Sequence, residues 1–201
     1  LCKSLSSSVD PSGGVFYPET FEKHFTLNDL THQGALTGIR IEGPSISVDE
    51  RIKRLCKELD LLVNEYSILD VEQSNIFWNK TRNLEVFSNT KKNLVRIVVP
   101  ISETLNLLQK LKNIDLSYFL EWGGSLIWFE LNDISIKILN EIREITKQHN
   151  GYFTLIKVEE DMKASADIFT IDQIKYKISE KIKKSFDPKR ILNPGKMYTG
   201  I

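Results

Sequence analysis

A chain of 201 residues with 41% hydrophobic and 27% charged residues has the composition of an ordinary soluble globular protein. It is long enough to bury a sizeable core in one large domain or two small ones. Its 27 basic and 27 acidic residues cancel, which removes the global field that would gather nucleic acid or an anionic membrane. Two distant cysteines, Cys2 and Cys56, make neither a disulfide framework nor a zinc spacing and suit a reducing cytoplasm. No apolar run reaches membrane-spanning length, and no signal peptide is recognisable.

The chain opens at Leu1 in a polar stretch, as a fragment or an N-terminally trimmed protein would. Residues 1–35 read as a loop-rich segment: SLSSSVDPSGG is turn-forming, and VFYPETF reads as a short extended piece, with Pro18 marking an edge or a turn. ALTGIRIEG alternates like a strand. In SISVDERIKRLCKELDLL, Ser47 and Glu50 have capping-box spacing, and Ile52, Leu55, Cys56, Leu59 and Leu62 share a helical face. Cys56 on that stripe reads as a buried small residue. YSILDV predicts a strand, so that residues 38–71 read as a partial strand–helix–strand copy. NIFWNKTRNLEVF fits neither period.

Residues 94–158 are the most regular. LVRIVVPI predicts a strand stopped by Pro100, and SETLNLLQKLKN a helix with Leu105, Leu108 and Leu111 inward. IDLSYFLEW and SLIWFEL predict a hairpin turning on Gly123 and Gly124, which tolerate positive φ. DISIKILNEIREITKQHNG predicts a helix capped by Asp133, with Ile138, Leu139, Ile142 and Ile145 inward and Asn150-Gly151 as its stop. YFTLIKV is the last strand. The order β-α-β-β-α-β is the ferredoxin-like pattern, so the expected fold is α+β, one antiparallel sheet with helices on one face. TIDQIKYKISEKIKKSFDP then predicts a helix with a capping box at Thr170 and Gln173, an apolar stripe of Ile174, Ile178, Ile182 and Phe186, and lysines mostly off it.

The chain closes with FDPKRILNPGKMYTGI. Asp187-Pro188 ends the helix, because a residue before proline is pushed out of the α region. Asn193-Pro194-Gly195-Lys196 has the type II turn signature, with proline second and glycine third. Such a turn gathers backbone N–H groups, the Asn193 amide and a lysine charge, although it also serves simply to dock a C-terminus.

FDPKRILNPGKMY resembles the C-terminal signature of FAD-linked oxidases of the vanillyl-alcohol oxidase/PCMH class. TGIRIEG, LVRIVVP, LEWGGSLIWFEL and HNGYFTLIKV resemble, in the same order, the LRLEG, WRLSLP, WGGAQRWL and GGHATLFR segments of one of the two FAD-binding components of glycolate oxidase. Together they span residues 36–199. The arginine of the third segment is Leu126 or Ile127 here, and the last basic position is Lys157.

The resemblance implies a cap domain over residues 36–185, with residues 186–201 returning to the flavin. It implies oxidation of a small 2-hydroxy acid, glycolate or D-lactate, to the 2-oxo acid, with hydride passing to FAD. It also implies two partners, similar to the other flavoprotein component of glycolate oxidase and to its iron–sulfur component. It places Asn193, Pro194, Gly195, Lys196 and Tyr198 near the isoalloxazine, although Tyr198 could equally dock the tail into the domain. The expected location is cytoplasmic, peripheral to the inner membrane through partners, with no direct insertion and no nucleic-acid partner.

The chain lacks the glycine-rich pyrophosphate loop of such enzymes, so FAD would be held mainly by another domain and the chain alone would be inactive. His24, His32 and His149 are isolated in sequence and suggest no metal site, and no catalytic residue stands out. A substrate carboxylate needs a guanidinium fork. Arg96 in LVRIVVP is the first candidate and Arg40 the second, against the commoner role of a sheet-face arginine. Trp122 and Trp128 read as core or sheet-face aromatics. Two other readings stay open: a non-catalytic remnant that binds partner flavoproteins, and a ferredoxin-like ligand- or RNA-binding module, which neutral charge and Glu121 disfavour.

Overall fold

The computed structural model describes residues 1–19, 26–27, 30–31, 34–60, 65–87, 93–132, 135–159, 162, 166–170, 172–196 and 198. Among these the helices are α1 (Cys2–Leu5), α2 (Ser45–Leu59), α3 (Val71–Arg82), α4 (Thr104–Leu111), α5 (Ile136–Gln148) and α6 (Gln173–Phe186). The strands are β1 (Gly13–Tyr17), β2 (Thr26–Leu27), β3 (Leu30–Thr31), β4 (Leu36–Arg40), β5 (Asn93–Val98), β6 (Leu116–Glu121), β7 (Leu126–Leu131) and β8 (Tyr152–Lys157). Six strands form one antiparallel sheet in the order β4-β1-β6-β7-β5-β8, and β2 pairs with β3 separately. The run β5-α4-β6-β7-α5-β8, with strand order β6-β7-β5-β8, is the ferredoxin-like α+β arrangement that the alternation of periods predicts.

The chain forms two compact units, Leu1–Thr90 with Ser117–Ile127, and Lys91–Leu116 with Trp128–Ile201. In the second, β5 pairs antiparallel with β8 so that Val95 faces Leu155 and Ile97 faces Phe153. Paired residues share a sheet face, and these four are buried with Phe129 and Leu131. Leu107, Leu111, Leu139 and Ile142 bring α4 and α5 into the same core. Leu105, expected inward, is exposed; Thr104, Leu107 and Leu111 are the buried residues of α4.

The cap of α5 is Ser135, whose hydroxyl accepts from the Ile138 N–H; Asp133 lies outside the described residues. The helix stops as expected. Asn150 takes φ +55, its N–H donates to the Lys147 carbonyl, and the Gly151 N–H donates to the Thr146 carbonyl, a Schellman ending.

In the first unit, residues 12–14, expected as surface loop, include the first residues of β1, which pairs with both β4 and β6. Tyr17 packs edge-on to Phe77 and against Phe119, which stacks in turn with Phe87. The Tyr17 hydroxyl donates to Thr81 Oγ1 at 2.9 Å, and the Thr81 hydroxyl donates to the Phe77 carbonyl. Burial pushes the Tyr17 pKa up, so its proton stays in that chain. Gly38 on β4 admits the Phe77 ring: a Cβ there would lie 2.6 Å from Phe77 Cζ.

Several local expectations give way. YSILDV is not a strand: residues 65–70 are irregular, and Val71 begins α3. The reason is Asp70, whose carboxylate accepts from the Gln73 N–H while the Gln73 side chain accepts from the Asp70 N–H, a capping box that outweighs the strand propensity of Tyr66 and Ile68 before it. The second strand of the expected partial copy is therefore absent from the described residues. Ser47 does not cap α2, which begins at Ser45 after Pro44 with no side-chain cap. Of the expected α2 face Leu55 is buried, Ile52, Cys56 and Leu59 are half-buried, and Leu62 lies outside the described residues. Thr170 does not cap α6; Asp172 does, accepting from the Lys175 N–H. The β6–β7 connection runs through Trp122, Gly123 and Gly124, all at positive φ, and is longer than two residues.

Candidate functional site

Arg96 follows from strand alternation. Val95 and Ile97 turn to the helices, so Arg96 turns to the other sheet face, opposite Thr154 of β8. There its guanidinium lies 6.0 Å from the centre of the Trp128 ring, within cation–π range. Its Nε is buried without a hydrogen-bond partner. A buried N–H donor left without an acceptor is uncommon and calls for a cause.

Arg143 of α5 makes the contrast. It also buries its Nε, yet one terminal nitrogen donates to Asn140 Oδ1, the other to the Asp167 carbonyl, and the guanidinium stacks 4.7 Å from the Phe153 ring. Arg143 is thereby occupied as a structural tie between α5 and the segment near residue 167. Burial pushes its pKa down, opposed by the Asp167 charge.

Arg40 lies in the first unit, on the edge strand β4. Its guanidinium meets Glu42 at 2.8 Å and lies 6.0 Å from the Trp78 ring. It already holds a carboxylate, whereas Arg96 makes no ion pair with a described residue. Sequence alternation also puts Glu130 on the face that carries Trp128, and Glu130 is buried. Nothing singled it out in the sequence beyond being the one charge in LIWFEL. Trp122 is 64% exposed in the connection between β6 and β7, while Trp128 is half-buried. Of the aromatics in LSYFLEW, Phe119 is core and Tyr118 is half-buried.

The tail turn forms as the sequence predicts. The Lys196 N–H donates to the Asn193 carbonyl at 3.2 Å, and Gly195 at the third position has φ +66. Asn193 itself has φ +45, a left-handed conformation that asparagine accepts more readily than most residues. Residues 193–196 are exposed. Neither the Gly195 N–H nor the Asn193 side chain bonds to a described residue, and a Cβ on Gly195 would meet nothing within 4 Å.

The segment that leads into the turn is held by Asp187, which the sequence marked only as the end of a helix. One carboxylate oxygen accepts from the Ile191 N–H at 3.0 Å, and the other from the Leu192 N–H at 2.9 Å and from Lys183 Nζ at 2.8 Å. Lys183 Nζ also donates to the Leu192 carbonyl. The lysine bond and the two backbone donors hold the Asp187 pKa down at about 2. Tyr198 lies 6.2 Å from both the Phe169 and Tyr176 rings, the arrangement of a docked aromatic.

His149 caps the end of α5 and bonds through Nδ1 to Glu103 Oε2 at 2.7 Å; the imidazole bond holds the Glu103 pKa down. His24 and His32 lie outside the described residues. Among the described residues no three His, Cys, Asp or Glu side chains converge on one point, and no helix is long and apolar enough to cross a membrane. A scan against models of protein families finds no match to this chain. A search of curated proteins finds no match either.

Proposed function

We propose that this chain is the cap, or substrate, domain of a flavin-dependent 2-hydroxy acid oxidase, acting on glycolate or D-lactate beside a flavin domain carried elsewhere. The observation that carries this reading is the exposed Asn193–Lys196 turn, which follows a segment tied down by Asp187 and presents donors that no described residue accepts. Donors fixed in this way suit an acceptor that gains negative charge, as the N1/C2 edge of a reduced flavin does. The donor set fits that ring edge only. No glycine-rich loop is present for a pyrophosphate, so FAD would be held mainly by the other domain. When bound, FAD supplies the hydride acceptor.

Arg96 would bind the substrate carboxylate. Its buried donor without an acceptor is what a site waiting for an anion leaves behind. Trp128 would fix the plane of the guanidinium. Glu130, on the same face, is the residue type that takes a hydroxyl proton. A 2-hydroxy acid held in this way loses its hydroxyl proton to a carboxylate while its carboxyl stays in the arginine fork.

The test is a titration of the labelled chain with glycolate and D-lactate, followed at the Arg96 side-chain N–H by nitrogen-edited NMR. A saturable shift that is absent with ethylene glycol, which lacks the carboxylate, is expected. No shift, or an equal one at Arg40, would return Arg96 to an ordinary sheet-face role.

A further inference from the structure

The last helix is amphipathic, yet no residue of α6 is buried. Ile174, Ile178, Ile182 and Phe186 are 72%, 53%, 55% and 83% exposed. At four-residue spacing they form one apolar arc along the helix. The face that is partly shielded is a different one: Tyr176, Ser179 and Lys183 are half-buried, Tyr176 against Tyr198 and Lys183 against Asp187 and Leu192. Lys175, which the helical period places within the same arc, meets Asp172 at 3.5 Å and lies 5.5 Å from the Tyr152 ring, while the four apolar side chains themselves stay more than half exposed.

Beside the arc run Lys177, Lys181 and Lys184, and Lys189 follows the helix; none of the four has an ion-pair partner among the described residues. Residues 173–190 carry seven basic and two acidic side chains, a net of +5, so the remainder of this neutral chain carries −5. Neutrality of the whole thus conceals a concentrated positive segment.

We propose that α6 lies flat on an anionic lipid surface, with its isoleucines and Phe186 among the acyl chains and its lysines at the headgroups. Three features favour this occupant. The apolar arc bordered by lysine is the pattern of an interfacial helix. Lysine is depleted in protein–protein interfaces, where arginine and aromatic residues take its place. A second copy of the chain would set one lysine row near another, and like charges repel at that range. The inference is independent of the flavin reading, which uses the turn beyond Asp187. A helix lying on a surface also needs no membrane-spanning length.

The test is cosedimentation of the full chain with vesicles of phosphatidylglycerol and phosphatidylcholine in equal parts, against vesicles of phosphatidylcholine alone. Binding to the first, weak binding to the second and release by high salt are expected. Each lysine near an anionic surface contributes about fivefold to partitioning, so the triple change Lys177→Gln, Lys181→Gln, Lys184→Gln should weaken binding about a hundredfold. Ile178→Asp with Ile182→Asp should abolish it. All five side chains are exposed, so circular dichroism and the thermal midpoint should not move. The salt response of the unaltered chain tests the proposal without any variant.

Failure to bind anionic vesicles would overturn the proposal and leave the arc to a protein neighbour. Equal binding to neutral vesicles would overturn the role of charge. A dimer by light scattering that Ile178→Asp dissociates would show that a second copy covers the arc.

Discussion

Replacing Arg96 by methionine should make this protein more stable, which is unusual for a change at a half-buried residue of a strand. Methionine keeps the length of the side chain and removes the guanidinium. A buried N–H without an acceptor costs about 1–3 kcal/mol, and that is the condition of Arg96 Nε. The stacking of the guanidinium 6.0 Å from Trp128 offsets about 0.5–1 kcal/mol of it. The thioether would retain an aromatic contact of its own with Trp128. The net gain expected is about 0.5–2 kcal/mol, or about 1–8 °C in thermal midpoint for a chain of this size. The assay is thermal and urea unfolding followed by circular dichroism, with the same variant titrated with glycolate. Stabilisation with loss of glycolate binding is expected, because a site that holds an anion keeps a cost that the empty protein bears. A loss of more than about 1 kcal/mol would instead mean that Arg96 holds the sheet together by contacts of its own.

Arg96→Lys should raise the apparent substrate constant of the assembled enzyme by about tenfold, because an ammonium cannot reproduce the fork; steady-state kinetics with glycolate and D-lactate would check it. Gly38→Ala should destabilise the protein by about 1–3 kcal/mol, since its Cβ would strike the Phe77 ring. Adding Phe77→Leu should recover part of that loss, and a double-mutant unfolding cycle reads the coupling. The carboxyl of Asp187 is lowered from 3.8 to about 2, so its clamp is fully present above pH about 4 and is lost as the pH falls through about 2. Exchange protection of the Ile191 and Leu192 amides should vanish in that window, and protection persisting below it would mean that the carboxylate is not what holds them. Asn193→Ala and Asn193→Gly should both weaken flavin reduction in the assembled enzyme, while only the alanine change strains the backbone at φ +45. Full activity in the glycine variant would show that the amide is not used.

The second unit was the more legible because its signals are redundant. Val95, Ile97, Phe153 and Leu155 alternate at period two, and Leu139 and Ile142 repeat at helical spacing. Asn150-Gly151 then stops α5 as a short local rule requires. The first unit failed where one local rule opposed another. YSILDV has strand-forming residues, but its own Asp70 closes a capping box with Gln73, a spacing visible in the sequence. The Ser47–Glu50 spacing there and the Thr170–Gln173 spacing in the second unit were equally visible and cap nothing, because the helices start at Ser45 and Gln173.

The site was legible to a different depth. The type II turn at Asn193–Lys196 follows from Pro194 and Gly195 alone. The bonds that Asp187 makes four and five residues ahead do not, because they depend on where the chain goes after Pro188. Strand alternation could say that Arg96 leaves the core, but not that its Nε would be buried without an acceptor. Periodicity likewise identified the apolar arc of α6 without revealing that its four side chains stay more than half exposed.

The most direct measurement of the central claim is a flavin fluorescence titration of this chain alone, and then joined to a flavin-binding domain that carries a glycine-rich loop, followed by anaerobic addition of glycolate or D-lactate. The chain alone should show no tight FAD binding, the joined protein should bind it tightly, and the 2-hydroxy acid should bleach the bound flavin. Flavin that stays oxidised in the joined protein with either acid, while Asn193→Gly leaves its binding unchanged, would contradict the claim.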